Sequence, residues 1–172
     1  SSAASDVYKR QDGKLVQAAT RGDGSIGEDV THNVLTISDI PKYIKGAPQV
    51  LEVRGEVYLR ISEFEKLNKK AQQLGEKTYV NPRNAAAGSI RQKNSAVAAQ
   101  RNLSFWAYQI GRISGGPALE SHFGTLEYLS LLGFPVNQNA QRVTTGKEGL
   151  RAYINEYRQK KSDFDYEFCL LY

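Results

Sequence analysis

Hydrophobic and polar residues alternate strictly along residues 50–59, V-L-E-V-R-G-E-V-Y-L. The period of two predicts a β-strand whose small and apolar side chains share one side. The opposite side carries Glu52, Arg54, Glu56 and Tyr58. A strand with one apolar and one charged face is typical of an antiparallel sheet buried on one side only.

Three further segments have strand-like patterns. Lys14–Thr20 follows an Asp12-Gly13 turn, residues 103–110 are rich in aromatic residues, and residues 164–172 end the chain with apolar and aromatic residues. Each of these combines the residue types that favour strands with turn residues at its boundary. We therefore expect at least four strands.

Helical periodicity separates these strands. Ser62-x-x-Glu65 predicts a capping box for a helix that ends at Gly75, and Asn81-Pro82 predicts an N-cap followed by proline at the first helical position. Ser121 and Thr145 are the predicted N-caps of two later helices, the first of which ends at Gly133. Strands interspersed with helices predict an α+β fold.

Composition narrows the classes of protein that this chain of 172 residues could belong to. The net charge is +5 and the isoelectric point is about 9.3, which suits a polyanionic partner or, equally, a solvated surface with excess lysine and arginine. The single cysteine excludes an intrachain disulfide, and the two histidines lack metal-ligand spacing. Without a signal peptide or membrane-spanning run, we expect a cytoplasmic protein with no membrane partner. The lack of methionine suggests a fragment or a processed chain.

Residues 22–27 contain the pattern Gly22-x-Gly24-x-x-Gly27, which matches the turn of a dinucleotide-binding Rossmann fold. The preceding segment is too polar for a buried parallel strand, and the acidic residues around the glycines would repel a pyrophosphate. The glycines could instead form a flexible connection, or let the chain turn sharply beside a ligand held by Arg21. A Rossmann oxidoreductase is therefore the least favoured class.

Basic and aromatic residues gather in the second half of the chain. Arg83 and Arg91 are eight residues apart, near two helical turns, and flank a run of alanines; Lys93 and Arg101 follow. Trp106 and Tyr108 lie on the next predicted strand. Guanidinium groups bind phosphates and rings stack on bases, so the combination points to a nucleotide; exposed ion pairs and core packing are the simpler alternatives.

Four blocks of sequence resemble one family. Residues 20–34 (T-R-G-D-G-S-I-G-E-D-V-T-H-N-V), 51–58 (L-E-V-R-G-E-V-Y), 81–92 (N-P-R-N-A-A-A-G-S-I-R-Q) and 103–111 (L-S-F-W-A-Y-Q-I-G) resemble the adenylation domain of bacterial NAD+-dependent DNA ligases. The resemblance runs from about Asp12 to about Glu167. It implies a nucleotidyltransferase fold, with antiparallel sheets flanked by helices.

The family implies a function as well. Its members seal nicks in duplex DNA during repair and replication, using NAD+ as the AMP donor through a lysyl-AMP intermediate, with Mg2+ assistance. By resemblance, Arg21, Glu56 and Tyr108 contact NAD+, and Arg83, Arg91 and Arg101 contact DNA or its phosphates. A monomer at the bacterial nucleoid is expected, and this chain supplies no metal ligands.

The ends of the chain depart from the family pattern. The family's nucleophilic lysine lies in a K-x-D-G motif, which this sequence lacks, and F-C-L-L-Y replaces a later I-D-G-V-V-x-K strand. We therefore expect an unmatched segment at 1–11, a partial adenylation domain at 12–167 and an unmatched segment at 168–172. The resulting fragment is predicted to be inactive. The alternative is a non-catalytic nucleic-acid-binding module.

Overall fold

The computed structural model describes residues 5–21, 27–139 and 146–167. Four strands form one antiparallel sheet in these residues, in the order β2-β1-β3-β4. The strands are β1 (Ser5–Gln11), β2 (Lys14–Thr20), β3 (Val50–Tyr58) and β4 (Ser104–Ser114). The mixture of helices and an antiparallel sheet confirms the predicted α+β class.

Six α-helices and one short 3-10 helix accompany the sheet in the described residues. The helices are α1 (Thr31–Val34), α2 (Ile61–Gln73), α3 (Pro82–Ile90), α4 (Ser95–Ala99), α5 (His122–Leu131) and α6 (Gly146–Gln159), with the 3-10 turn at Lys161–Asp163. The predicted caps Asn81 and Ser121 accept backbone N–H bonds from Asn84 and Gly124 at 2.7 and 3.0 Å. The predicted cap Thr145 lies outside the described residues.

The β1–β2 hairpin turns at Asp12 and Gly13, whose φ angles are 48° and 80°. Two consecutive positive φ values suit the right-handed twist of a two-residue hairpin. A Cβ at position 13 would also overlap the carbonyl oxygen of Ile44. The predicted Asp12-Gly13 turn is therefore confirmed, and glycine is required there by both conformation and space.

The core lies on one face of the sheet. As the alternation predicts, Leu51, Val53 and Val57 of β3 are at most 2% exposed. Opposite Val57 on β4 is Phe105, which is also fully buried. Residues of α1, α3 and α5 belong to the same cluster and cover this face. The other face of β3 keeps its polar side chains half-buried or exposed.

The predicted capping box of α2 is wrong. The helix begins at Ile61, and its N-cap, Arg60, makes no side-chain capping bond. Instead the carboxylate of Asp165 accepts the backbone N–H of Ser62 at 2.8 Å and its hydroxyl at 2.6 Å, while the carbonyl oxygen of Asp165 accepts the N–H of Ile61 at 3.1 Å. A residue distant in sequence thus supplies the acceptors that the first turn needs.

The strand predicted from residue 164 onward is absent from residues 164–167, and residues 168–172 lie outside the described part. Phe164 and Tyr166 pack with their ring centroids 5.1 Å apart, and Tyr166 meets Trp106 edge-on at 4.5 Å. The aromatic residues that suggested a strand therefore serve a side-chain cluster, because burying rings against β4 outweighs their strand preference.

Candidate functional site

The polar face of β3 and β4 carries the candidate site. Glu56 is paired with Trp106 on β4 and with Ser5 on β1. Trp106 and Tyr108 alternate with the buried Phe105 and Ala107, so both belong to the face of Glu56. The register shifts between Arg54 and Gly55, which makes Tyr108 the additional residue of a β-bulge.

Arg21 lies at the same end of the sheet. It follows Thr20, which pairs with Asp6, while the preceding residue of β1, Ser5, pairs with Glu56. Arg21 is thus two strand positions from Glu56, a backbone separation of about 10 Å. Its side chain is exposed, whereas Thr20 is buried on the core face. Glu56 and Tyr108 therefore share one face of the sheet, and Arg21 directly follows the end of β2 nearest to Glu56.

The segment after the glycine run returns along β2. The N–H of Thr20 donates to the carbonyl oxygen of Glu28 at 2.9 Å, and that of Val30 donates to Ala18 at 2.9 Å. A Cβ at Gly27 would overlap the carbonyl oxygen of Thr20. Residues 22–26 lie outside the described part. Because this return is antiparallel and α1 begins only at Thr31, the Rossmann interpretation does not hold.

A pocket of about 210 Å³ opens beside Glu56. Aromatic side chains form most of its wall, and Tyr108 is not among the residues that line it. The lining comprises Glu56, Tyr58, Trp106, Asn137, Tyr157, Tyr166 and Glu167. Trp106 was predicted from sequence as an aromatic residue of the site, whereas Asn137, Tyr157 and Tyr166, which lie far from β3 and β4 in sequence, were not.

Ring contacts hold this wall together. Trp106 lies 5.0 Å from Tyr58 and 4.5 Å from Tyr166, measured between ring centroids. The hydroxyls of Tyr153 and Tyr157 both donate to the carbonyl oxygen of Asn139, at 3.0 and 2.9 Å. Burial raises the pKa of the Tyr58, Tyr157 and Tyr166 phenols, so they stay protonated at neutral pH. The wall is therefore apolar in its rings and hydrogen-bonding at its edges.

The three predicted DNA-contacting arginines surround α3 and α4. Arg83 is exposed on the first turn of α3, and Arg91 follows that helix with its Nε 3.4 Å from a carboxylate oxygen of Glu28. Arg101 follows α4 and lies 6.0 Å from the ring centroid of Tyr79. The alanines of α3 face inward, since Ala85 and Ala86 are at most 3% exposed. Their small size lets α3 approach the protein's own core.

A buried amide joins α1 to the end of α3. The side-chain nitrogen of Asn33 donates to the carbonyl oxygens of Ile90 and Gln92, both at 2.7 Å. The ring of His32 also lies within hydrogen-bond distance, 3.2 Å, of the Gln92 oxygen. These contacts connect the glycine-rich block to the N-P-R-N-A-A-A-G-S-I-R-Q block. These contacts were not predicted from sequence. A polar residue such as Asn33 beside the apolar Val34 is nevertheless a signal, because a polar side chain buried with apolar neighbours needs a hydrogen-bond partner.

No group of three or more His, Cys, Asp or Glu side chains in the described residues is arranged to hold a metal ion. Among the described helices, none combines the length and apolar character needed to cross a bilayer.

Sequence comparisons identify the family. The model of the NAD-dependent DNA ligase adenylation domain matches residues 3–169. A DNA ligase of Chloroflexus aurantiacus strain J-10-fl is 47% identical over 169 residues, covering 91% of this chain and 24% of the relative. DNA ligases of Roseiflexus castenholzii and Shouchella clausii are each 46% identical, covering 94% and 91% of this chain and 24% and 23% of the relatives.

The match covers nearly all of the chain, and the antiparallel sheet and convergent polar face are consistent with it. The chain belongs to the NAD-dependent DNA ligase adenylation domain family. It spans about a quarter of the length of the curated relatives it matches.

Proposed function

We propose that the polar face of β3 and β4 binds the AMP portion of NAD+, as part of a ligase that seals nicks in duplex DNA. The observation that carries this proposal is the strand register, which puts Glu56 and Tyr108 on one polar face with the end of β2, just before Arg21, beside them. The match to the NAD-dependent DNA ligase adenylation domain supports NAD+ as the AMP donor, and the nucleotidyltransferase fold is part of the proposal on the resemblance of the sequence blocks.

Each residue type suits one part of the nucleotide. The ring of Tyr108 offers a stacking surface for adenine, and the carboxylate of Glu56 accepts hydrogen bonds from ribose hydroxyls. The guanidinium of Arg21 would hold phosphate oxygens and spread their developing negative charge. Transfer of AMP begins when a lysine amine bonds to the α-phosphorus and nicotinamide mononucleotide leaves. The 172 residues contain no K-x-D-G lysine for this step.

The DNA-binding part of the proposal places Arg83, Arg91 and Arg101 on the nick and its phosphates. Guanidinium groups suit phosphate oxygens because two N–H groups can donate in parallel. Acting on nicked duplex DNA would assign the protein, as a monomer, to DNA repair and replication at the bacterial nucleoid in the cytoplasm. Mg2+ assistance is expected from the family alone.

Calorimetric titration of this chain with AMP and with NAD+ tests the nucleotide site. We expect millimolar or tighter binding of AMP, weakened roughly tenfold by Glu56→Gln or by Tyr108→Ala, since each removes about one hydrogen bond or stacking contact. Glu120→Gln and Tyr43→Ala are matched controls, because both residues are exposed and belong to neither β3 nor β4. Equal AMP binding by all five proteins would contradict the assignment of Glu56 and Tyr108.

A second candidate function is non-catalytic binding of nucleic acid. The arginines around α3 and the missing K-x-D-G motif favour it for this polypeptide. Incubation with NAD+ labelled in the adenylate and with Mg2+ separates the candidates. We expect no covalently labelled 172-residue chain on a denaturing gel run at alkaline pH, where a lysyl-AMP phosphoramidate survives, and a labelled adduct would show that another of its lysines accepts AMP.

A further inference from the structure

A groove of about 500 Å³ lies on the side of α2 that faces the end of α4. The segment joining α2 to α3 forms its floor. Its charged lining includes Lys66, Lys70, Lys77 and Arg101, together with Glu63 and Glu76. None of these side chains belongs to the pocket beside Glu56, so the groove is a separate feature of the molecule.

The charge of the groove is positive once internal pairs are counted. Glu63 accepts from the Nζ of Lys66 at 2.7 Å and from the side-chain nitrogen of Asn102 at 2.9 Å, and these bonds lower its pKa. Glu63 and Lys66 therefore offset each other. Among the described residues, no carboxylate lies within ion-pair distance of Lys70, Lys77 or Arg101, which leaves three cations against Glu76.

The floor of the groove is fixed in place. Asn68 of α2 accepts the backbone N–H of Tyr79 and donates to its carbonyl oxygen, both at 2.9 Å. The Tyr79 ring fits against Gly88 of α3, where a Cβ would come within 3.2 Å of it. Arg101 lies over the same ring. Cationic groups mounted on a rigid surface lose less entropy on binding than groups on a free loop.

The groove continues the surface proposed to contact DNA. Arg101 belongs to both, and α3, which carries Arg83, packs against both α2 and α4. Exposed lysines on flexible stems act as point charges for phosphates, and contacts of this kind position a duplex without reading its sequence. We propose that Lys70 and Lys77 in this groove bind the sugar-phosphate backbone of duplex DNA away from the nick. The choice of duplex DNA as the ligand rests on the proposed function. The groove proposal does not depend on the nucleotide site.

Binding of labelled nicked and intact duplexes, measured by anisotropy over a range of salt concentrations, tests the proposal. We expect the double variant Lys70→Ala/Lys77→Ala to lower the affinity for both duplexes by the same factor, about tenfold near 0.1 M salt. The slope of log affinity against log salt should fall in magnitude by about 1.8, as for two lost phosphate contacts. The charge-retaining variant Lys70→Arg/Lys77→Arg should restore both values.

Lys42→Ala/Lys45→Ala is the matched control, since it removes the same charge from exposed residues outside the groove. The proposal is overturned if the Lys70/Lys77 and Lys42/Lys45 alanine pairs behave alike. The proposal is also overturned if the wild-type chain binds no duplex. In that case the AMP titration still tests the nucleotide site independently. If Arg83→Ala/Arg91→Ala loses the preference for nicked over intact duplex and Lys70→Ala/Lys77→Ala keeps it, the two sets of residues have separate roles, as the proposal requires.

Discussion

The side-chain nitrogen of Asn33 lies 2.7 Å from the carbonyl oxygen of Ile90, at the end of α3. Asn33 is fully buried, and its second bond, to Gln92, is equally short. The last carbonyls of a helix lack partners within the helix, so Asn33 supplies a cap from a distant part of the sequence. Since Arg91 lies between the two acceptors and pairs with Glu28, this cap fixes a candidate DNA-contacting residue beside the glycine-rich segment.

Replacement of Asn33 by alanine should lower the free energy of unfolding by about 1–3 kcal/mol, because the buried carbonyl oxygen of Ile90 loses this donor and that of Gln92 keeps only its contact with His32. Urea denaturation followed by circular dichroism measures the change. Asn155→Ala is the matched control, since Asn155 is exposed on α6 and should change stability by less than about 0.5 kcal/mol. Equal losses in the two variants would show that the Asn33 bonds contribute nothing specific.

The Asp165–Ser62 contact should make stability depend on pH. The side-chain and backbone hydrogen bonds from Ser62 lower the pKa of the Asp165 carboxyl below its ordinary 3.8. Its stabilising contribution is therefore present above about pH 4 and is lost as the pH falls through the lowered pKa. Because the side chain is exposed, we expect Asp165→Ala to cost only about 0.5–1 kcal/mol at neutral pH.

Thermal melts of wild type and Asp165→Ala between about pH 3 and pH 7 measure this dependence. The difference in melting temperature should shrink as the solution becomes acidic. Asp163→Ala serves as the control, because Asp163 lies two residues away and makes no bond to Ser62. A difference that stays constant over this range would exclude the carboxylate as the cap of α2.

Local patterns in the sequence sufficed for most of the elements. The alternation in β3 and the caps at Asn81 and Ser121 arise from neighbours in sequence, and the structure has them as predicted. The cap of α2 could not be predicted locally, because Asp165 lies 103 residues from Ser62. The same packing places residues 164–167 in an aromatic cluster, where their strand preference was misleading.

The candidate site was predictable in residue type and only partly in arrangement. Alternation alone puts Glu56 on the polar side of its strand. The pairing of Glu56 with Trp106 and the bulge at Tyr108 depend on the register between β3 and β4, which sequence patterns do not specify. Contacts such as Glu28–Arg91 depend on how α1 meets α3, which no local pattern encodes.

Gly55 is required by packing under the candidate site. It faces the core between Arg54 and Glu56, and a Cβ there would overlap the ring of Phe105. Gly55→Ala should therefore cost about 1–3 kcal/mol, as expected for overpacking of a tightly filled core. Gly111→Ala is a control on β4, where the nearest atom is the flexible side chain of Arg54 at 3.2 Å. Urea midpoints that fall equally in both variants would contradict the packing argument.

Arg10 places a guanidinium in the core. It is fully buried on β1, donates to the carbonyl oxygens of Gly13 and Pro41, and lies 4.9 Å from the ring centroid of Phe134. Burial lowers its pKa from 12.5 to about 10. Arg10 therefore stays protonated at neutral pH but holds its proton less tightly than in the unfolded chain, and the unfolded chain binds more protons than the folded chain between these two values.

Arg10→Ala should destabilise the protein by about 3 kcal/mol, because it leaves a cavity and the Pro41 carbonyl without its donor, whereas the Gly13 carbonyl keeps the backbone N–H of Ile44. Arg10→Met fills the space without a charge but also removes the donor to the Pro41 carbonyl, so it should cost about 1–2 kcal/mol, less than the alanine variant. Urea denaturation near neutral pH ranks the three proteins. As the pH rises through about 10, wild type should gain stability relative to Arg10→Met, because its buried base no longer needs to carry a proton. Equal stability of the alanine and methionine variants, or a wild-type stability that falls relative to Arg10→Met in that pH range, would contradict the energetic cost assigned to this buried charge.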